Sequence, residues 1–535
     1  MTGGGQGTMG TPPGDLVARM PAPLRDGLRP RVAKDGGRYE IDCAAAKLRD
    51  LCRWLSRELG YVFATLVVEE RAGPAWSLDY IFHGPERGDW VHVRIQQAID
   101  DRTVPSVSDI VHAADWHERE TEDLFGLLFD GHPRLGEFVL HEDWPEGTNP
   151  MRKSFDARQR LEPRTDAHWE PPTVVEAPGV FAMPVGPVFS DFAEAAHFLL
   201  ETVGEDVITA IPRFFYKYRG VEKIAEGQAP RDALLLAERF SGTAAFAHGL
   251  AFCQAVETIA GVEPPPRARM LRSLLAELER LRHHAAAIKG LCKSTALAVA
   301  TSQAALIEED LLRLSGVAVG HRYLFGALEP GGLALDIADA SCRELAEEGQ
   351  AILARLAELE RMLEYTSSFL DRLEEVGIIG RRDAEDYGLV GPMARASGVP
   401  WDMRKTAPYA AYGALDLDAP TEAEGDGYAR LRVLFREARA SAAMIRQAAD
   451  SLPAGPVSTP VAPRPGAALG VTEAPLGAAF HWLRIDARGL VERYRLTSPS
   501  FINWHGFHLA TENFAFQDFP IILASLGLSN AECDR

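Results

Sequence analysis

Apolar residues recur at i, i+3 and i+4 over residues 230–260, 267–292, 298–315, 342–376 and 427–451. That period lines one face of a helix, and several such helices in succession predict a bundle around a shared core. The 342–376 stretch is long enough for a coiled coil, but its place between other helices favours bundle core. Earlier in the chain the period differs. Ala44 to Leu59 is helical in spacing, whereas Tyr61 to Glu69 is β-branched and aromatic until Gly73-Pro74 interrupts it. Trp76 to His83 and Trp90 to Ile95 read as further strands, so this part predicts a small α+β domain. Residues 141–180 are Pro-rich and charged and read as an extended connection. A second Pro/Gly-rich stretch, Leu452 to Gly470, precedes strand-like runs at Phe480 to Ile485 and Val491 to Leu496.

The resulting fold class is α+β. A disordered tail over 1–37 precedes a small α+β domain over 38–155. A linker over 156–180 then leads into a mainly helical domain with peripheral strands over 181–535. The first residues, Met1 to Pro13, are rich in Gly, Thr and Pro and lack an apolar h-region, so they do not read as a secretory signal.

Composition narrows the function classes. The formal net charge of −20 argues against nucleic acid as a partner, because phosphate recognition needs a basic face. No run of 18 apolar residues predicts a membrane-spanning helix. The cysteines, Cys43, Cys52, Cys253, Cys292, Cys342 and Cys533, form no C-x-x-C pair. This argues against zinc ribbons, thiolate-held clusters and a disulfide framework, and for a reducing compartment. No G-x-G-x-x-G after a strand, P-loop or nucleophile elbow marks a self-contained enzyme.

Two motif sets carry a resemblance. Trp116, Glu118-Arg119-Glu120, Asp123 to Gly126, Gly131-His132-Pro133 and Arg152-Lys153 stand in the order found in the 30 kDa-type subunit of complex I. The charged run spans about two helical turns and predicts i,i+3 and i,i+4 pairs; the resemblance implies a docking scaffold in preference to an acid/base couple. From residue 181 the chain resembles the 49 kDa-type subunit of complex I and the large subunit of group 4 nickel–iron hydrogenases. The matching segments include Gly186-Pro187-Val188, Arg219 to Lys223, Glu238-Arg239, Gly320-His321-Arg322, Gly391-Pro392 with Arg395 to Gly398, Asp402 with Arg404, and Asp534-Arg535. The fusion of both parts resembles the large subunit of formate hydrogenlyase.

The resemblance implies two C-x-x-C pairs holding nickel and iron, but the four ligand positions read Ser241, Ala244, Ser529 and Glu532. Soft thiolates suit these metals, and none is present, so no metal is expected on this chain. The quinone-binding histidine and tyrosine of the 49 kDa type fall on Phe189 and Gly242. Tyr218, Glu194 and His248 remain as donors for a remodelled pocket. Glu194 matches the carboxylate that passes protons in group 4 enzymes, with an exposed helix glutamate as the alternative. Arg239 is expected to pair with Glu532, with Cys533 and Arg535 beside them. His283-His284, adjacent on a helix, read as structural. Asp534-Arg535 coincide with the mature end of the hydrogenase family, so no cleavage is expected.

The function implied is that of a cluster-free large subunit in a membrane-associated respiratory complex, of the NADH-quinone oxidoreductase or energy-converting hydrogenase type. It would dock an iron–sulfur small subunit against antiporter-like and other membrane-arm subunits, as a peripheral protein on the cytoplasmic face of the membrane. Its own catalytic centre would be lost, with iron–sulfur clusters on other subunits. A redox subunit with an altered quinone pocket and a non-redox structural subunit are the alternatives.

Overall fold

The computed structural model describes all residues except 1–14, 26–27, 33–36, 72, 74, 167–168, 170–174 and 189–193. The chain divides into two compact units, Met1–Gly136 with Met151–Phe155, and Glu137–Pro150 with Asp156–Arg535.

The first unit is built on a five-stranded sheet in the order Arg29–Val32, Arg38–Cys43, Asp89–Ala98, Ala75–Gly84, Val62–Arg71. Arg38–Cys43 runs parallel to Asp89–Ala98, and the other pairs are antiparallel. Val62–Arg71 and Ala75–Gly84 are buried along most of their length, and Asp89–Ala98 is buried at Val91, His92, Val93 and Ile95. Their continuous β-branched and aromatic runs match such burial. The helical turns over residues 45–58 bury Leu48, Leu51, Trp54 and Leu55. The tail expected over 1–37 is corrected in its described part. Asp15–Arg19 and Ala22–Arg25 are helical turns anchored by buried Leu16, Met20 and Leu24, and Arg29–Val32 adds an edge strand.

The motif helix Asp115–Phe125 ends at Gly126, whose φ of 75° is the left-handed conformation that a glycine C-cap adopts readily. Glu118 does not join a surface pair. It is fully buried and accepts Ser106 Oγ at 2.6 Å, Val107 N at 2.9 Å and Tyr80 Oη at 3.4 Å, tying the 106–107 loop to the helix. Burial raises its pKa to about 8, against the lowering effect of the Ser106 and Val107 bonds. Arg152 lies over Trp76 at 4.7 Å and meets Glu70 at 3.1 Å.

In the second unit the long helices are Ala245–Ala260, Pro266–Ser294, Ala298–Val319, Asp339–Glu364 and Gly427–Asp450. Pro266–Ser294 is central and packs on Ala298–Val319 and Gly427–Asp450. The expected helix over 342–376 stops earlier. Thr366 Oγ1 turns back onto Met362 O at 2.7 Å, and the apolar spacing continues through a separate turn that buries Phe369 and Leu373. The 230–260 pattern likewise splits, at residues 240–244, into Pro230–Arg239 and Ala245–Ala260.

Two sheets flank the helices: Gly466–Ala474, Gly477–Ile485, Val491–Thr497, and Glu512–Ala515, Asp206–Arg213, His197–Val203, Phe181–Val185. Gly466–Ala474 begins inside the Pro/Gly-rich stretch Leu452 to Gly470. Its Gly and Ala content hid the strand, and Gly470 shows why that content is needed. A Cβ there would lie 1.8 Å from Ala251 O, so the helix Ala245–Ala260 can rest on the strand only over a glycine.

The interior also holds a fully buried ionic cluster. Arg395 meets Glu437 at 2.6 Å, Glu473 at 2.8 Å and Asp402 at 3.5 Å. Arg404 joins Asp402 at 2.7 Å and Glu277 at 3.0 Å, and Tyr412 and Ser441 hydroxyls donate to Glu277 at 2.6 and 2.7 Å.

Candidate functional site

The candidate site forms where the turn between two helices meets the C-terminal tail. Pro230–Arg239 ends, residues 240–244 turn, and Ala245–Ala260 begins. The amides of a helix's first turn lack intrahelical acceptors. Here the carboxylate of Glu279, from Pro266–Ser294, takes Phe246 N at 2.7 Å and Ala247 N at 2.9 Å. Burial raises the Glu279 pKa to about 7, against the nearby Arg282 and these two amides. Sequence reasoning missed this cap, because Glu279 lies more than 30 residues away on another helix.

The cap fixes His248 in the first turn of its helix. Its Nδ1 lies 2.9 Å from Nε2 of His481, and His481 Nδ1 lies 2.7 Å from the Tyr494 hydroxyl. All three are completely buried. Burial first, and then the neighbouring His248, hold His481 well below the ordinary imidazole range, so it is neutral. Phe240 packs edge-on against His248 at 4.5 Å.

The tail supplies the rest. Phe519–Leu526 is closed by Gly527 in the left-handed conformation, and the chain then runs inward. Glu532 is wholly buried, with Ser241 Oγ at 3.1 Å, Ser500 N at 3.3 Å and His248 Nε2 at 3.6 Å. Burial alone would raise this carboxyl, but the contacts with His248, Ser500 and Ser241 outweigh it and hold the group below its usual range. Ser529 Oγ accepts from Glu532 N at 3.3 Å.

Glu194 is tied to the same tail. Its carboxylate accepts Ser529 Oγ at 2.9 Å, Ala531 N at 3.1 Å and the amide of Asn530. It therefore acts as an anchor for residues 529–531.

Arg535 is completely buried, 3.5 Å from Glu222 and over the ring of Phe501 at 4.4 Å. Glu222 also meets Arg493 at 2.9 Å and Arg495 at 3.3 Å, and these three cations, against the cost of burial, hold its carboxyl below the ordinary range. Burial keeps the Cys533 thiol protonated, well above the ordinary thiol range. Asp534 is raised by burial to about 6, and its carbonyl accepts Arg219 N and Nε at 3.0 and 2.8 Å.

Ser241, Ser529 and Glu532 thus share one hydrogen-bonded cluster. Ala244, also buried, joins it through its carbonyl, which accepts His248 N at 3.1 Å. The expected pairing of Arg239 with Glu532 is corrected: Arg239 is exposed at its helix end, with its guanidinium 5.7 Å from the Phe325 ring. A hydroxyl, an amide and an imidazole take the place of that cation. Gly242 is exposed, Tyr218 is half-buried beside Phe215, and Phe189 lies outside the described residues. A cavity of about 10 Å³ has Leu476, His283, Met393 and Asn503 among its lining, and none of the four ligand positions reaches it.

The family described as respiratory-chain NADH dehydrogenase, 30 Kd subunit, matches residues 41–161, and its 49 Kd counterpart matches 301–464. The nickel-dependent hydrogenase family matches residues 219–288, which include the helix turn bearing Ser241 and Ala244. Formate hydrogenlyase subunit 5 of Escherichia coli (strain K12) is 32% identical over 453 residues, covering 83% of this chain and 79% of that protein. The chain belongs to the family of formate hydrogenlyase subunit 5. Hydrogenase-4 component G of the same organism is also 32% identical, over 450 residues, with 83% and 78% covered. The fused C/D protein of NADH-quinone oxidoreductase from Methylococcus capsulatus is 26% identical over 543 residues, with 91% and 92% covered.

Within the formate hydrogenlyase subunit 5 family, the donor set here does not fit a nickel–iron centre. Ala244 offers only a methyl group, Ser241 and Ser529 offer hydroxyls, and Glu532 is engaged by two donors of the protein itself, with His248 Nε2 3.6 Å away. Among the described residues, no group of three or more His, Cys, Asp or Glu is placed to hold a metal ion. Soft metals that cycle redox states call for thiolates.

Proposed function

We propose that this chain is a fused, metal-free large subunit of a membrane-associated oxidoreductase complex, of the kind to which NADH-quinone oxidoreductase and formate hydrogenlyase belong. In this reading it docks an iron–sulfur small subunit against antiporter-like and other membrane-arm subunits. It does so as a peripheral protein on the cytoplasmic face, and electrons pass through clusters on its partners. The observation that carries the reading is the closed cluster of Glu532, Ser241, Ser529 and His248. At the positions where the resemblance implies four thiolates, the protein satisfies its own polar groups. The absence among the described residues of a helix long and apolar enough to cross a membrane is consistent with peripheral attachment.

The quinone-pocket alternative needs free donors in an apolar cleft. Glu194 is committed to the tail, and His248 is enclosed by Phe240, His481 and Glu532.

Mild-detergent purification of the tagged chain from its own cells tests the proposal. The expected result is co-purification of a chain with cluster-binding cysteines and of multi-span membrane chains. Nickel should stand below about 0.1 per chain, given the missing ligands. A chain that migrates alone, or that carries near-stoichiometric nickel, would overturn the reading.

A further inference from the structure

A continuous line of polar side chains runs from the protein surface to its interior through the candidate site. Thr243 is half-buried and stands at the outer end. Its Oγ1 lies 2.9 Å from Ser241 Oγ, which lies 3.1 Å from Glu532 Oε1. Beyond Glu532 the line continues to His248 Nε2 at 3.6 Å, then through His481 to the Tyr494 hydroxyl in steps of 2.9 and 2.7 Å. Every member inward of Thr243 is at least 95% buried.

The donor inventory gives this line a direction. A phenol hydroxyl can donate or accept; the Glu532 carboxylate beside His248 Nε2 favours a proton on that nitrogen, and the tautomers that follow have Tyr494 donating to Nδ1 of His481. His481 then carries its proton on Nε2 and donates to His248 Nδ1. That leaves His248 with its proton on Nε2, a buried N–H aimed at the Glu532 carboxylate without a partner at hydrogen-bond distance. From the other side, Thr243 donates to Ser241 and Ser241 donates to Glu532. Both arms converge on one carboxylate, and each hydroxyl on the outer arm can accept a proton on one side while giving one up on the other.

We propose that Glu532 is a buried proton-accepting site, loaded from solvent through Thr243 and Ser241 and backed by the His248–His481–Tyr494 arm. In the loading step a solvent proton adds to Thr243 Oγ1 as Thr243 passes its own proton to Ser241. Ser241 passes its proton to Glu532, forming one O–H bond on the carboxylate. One proton enters, the site goes from anionic to neutral, and no electrons move. With the carboxylate ionised, His248 passes its Nε2 proton to Glu532 as His481 passes its own to His248 Nδ1 and Tyr494 passes its hydroxyl proton to His481; Glu532 exchanges the proton through Ser241 and Thr243, and the arm returns by the reverse steps. The charged groups around the line are otherwise engaged. Arg282 donates to the Thr243 carbonyl, Glu279 caps the helix, Glu194 holds Ser529 and Arg535 faces Glu222. None of them supplies a competing acceptor within the line. The site is independent of which complex the chain joins.

The test reads hydrogen exchange at the imidazoles of the full chain carrying ¹⁵N-histidine. His481 should appear as the neutral Nε2–H tautomer, and the His248 ring should carry a proton on Nε2. Their ring protons should exchange with water at least about tenfold faster than the backbone amides around them, despite complete burial. Ser241→Ala and Thr243→Val should each slow ring exchange about tenfold while leaving backbone amide exchange in Ala245–Ala260 unchanged. Thr243 is only half-buried, so its variant keeps the test available where Ser241→Ala disturbs folding. Ring exchange that is as slow as the neighbouring amides, or that is unmoved by both substitutions, would overturn the proposal and leave the line as static packing.

Discussion

Nε2 of His284 stands 2.8 Å from a carboxylate oxygen of Glu437, and neither side chain reaches solvent. The other carboxylate oxygen takes Arg395 at 2.6 Å. Removing this one acidic group would leave a buried guanidinium short of an anion, which costs about 3–5 kcal/mol in comparable settings. Glu437→Ala should therefore lower the stability of the second unit to denaturant by an equivalent amount, and Glu437→Gln by less. A shift under about 1 kcal/mol would mean that water or Asp402 compensates.

The same carboxylate predicts a pH limb. Burial would raise Glu437, but Arg395 and His284 outweigh it and hold the group below the ordinary carboxylate range. A depressed folded-state pKa contributes stability that is present above the unfolded value, about 4.3, and is lost as pH falls below it. Hydrogen exchange of Pro266–Ser294 should accelerate below that pH, and Glu437→Gln should flatten the acceleration. An identical acid limb in the variant would place the effect elsewhere.

Glu118 predicts the opposite slope for the first unit. Its pKa is raised to about 8, so the folded state holds a proton that the unfolded chain releases from about pH 4.3 upward. Stability should fall as pH rises across that window and level off above 8, at no more than about 1.4 kcal/mol per pH unit. Thermal melts of the first unit near pH 5, 6.5 and 8 would read this directly. Glu118→Gln should remove most of the slope.

Glu194 and Glu222 hold the tail in different ways, and substitution should separate them. Glu194→Gln keeps one acceptor oxygen and loses the other, so the amides of Asn530 and Ala531 should exchange about tenfold faster while the fold stands. Glu222→Ala strands Arg493, Arg495 and Arg535 together in the interior and should cost several-fold more than Arg535→Ala. Equal effects from Glu222→Ala and Arg535→Ala would show that the cations find other partners.

What is legible in the sequence follows from local periodicity. The long helices and the strands Ala75–Gly84, Asp89–Ala98 and Gly477–Ile485 announce themselves by which positions are apolar, and the motif order carries the family. The partners inside the site are not legible. His248 and His481 are separated by 233 positions, and Ser241 and Glu532 by 291, so no spacing rule connects them. The Arg239 pairing fails because a buried anion does not require a cation. Arg239 faces outward at the end of its helix, and Glu532 is served by neutral donors closer at hand. Glu118 departs from expectation for the converse reason. A charged run on a helix reads as a surface, but its first glutamate turns inward to satisfy a loop.

The burial of Arg535 against Glu222 also sets a schedule for biosynthesis. The two residues are 313 positions apart, so at roughly 5–20 residues per second the ribosome needs about 15–60 s to make the second after the first. Through that interval Glu222 awaits its closing contact, joined by Arg493 and Arg495 only near the end, and the helix turn at Ser241 lacks Glu532. The first unit faces no such wait, since the five strands of its sheet and its motif helix all lie within residues 29–125. A nascent chain stalled before residue 529 should carry a finished first unit and an open second one, which makes residues 529–535 the latch on folding and exposes the unfinished unit to chaperones and proteases until they arrive.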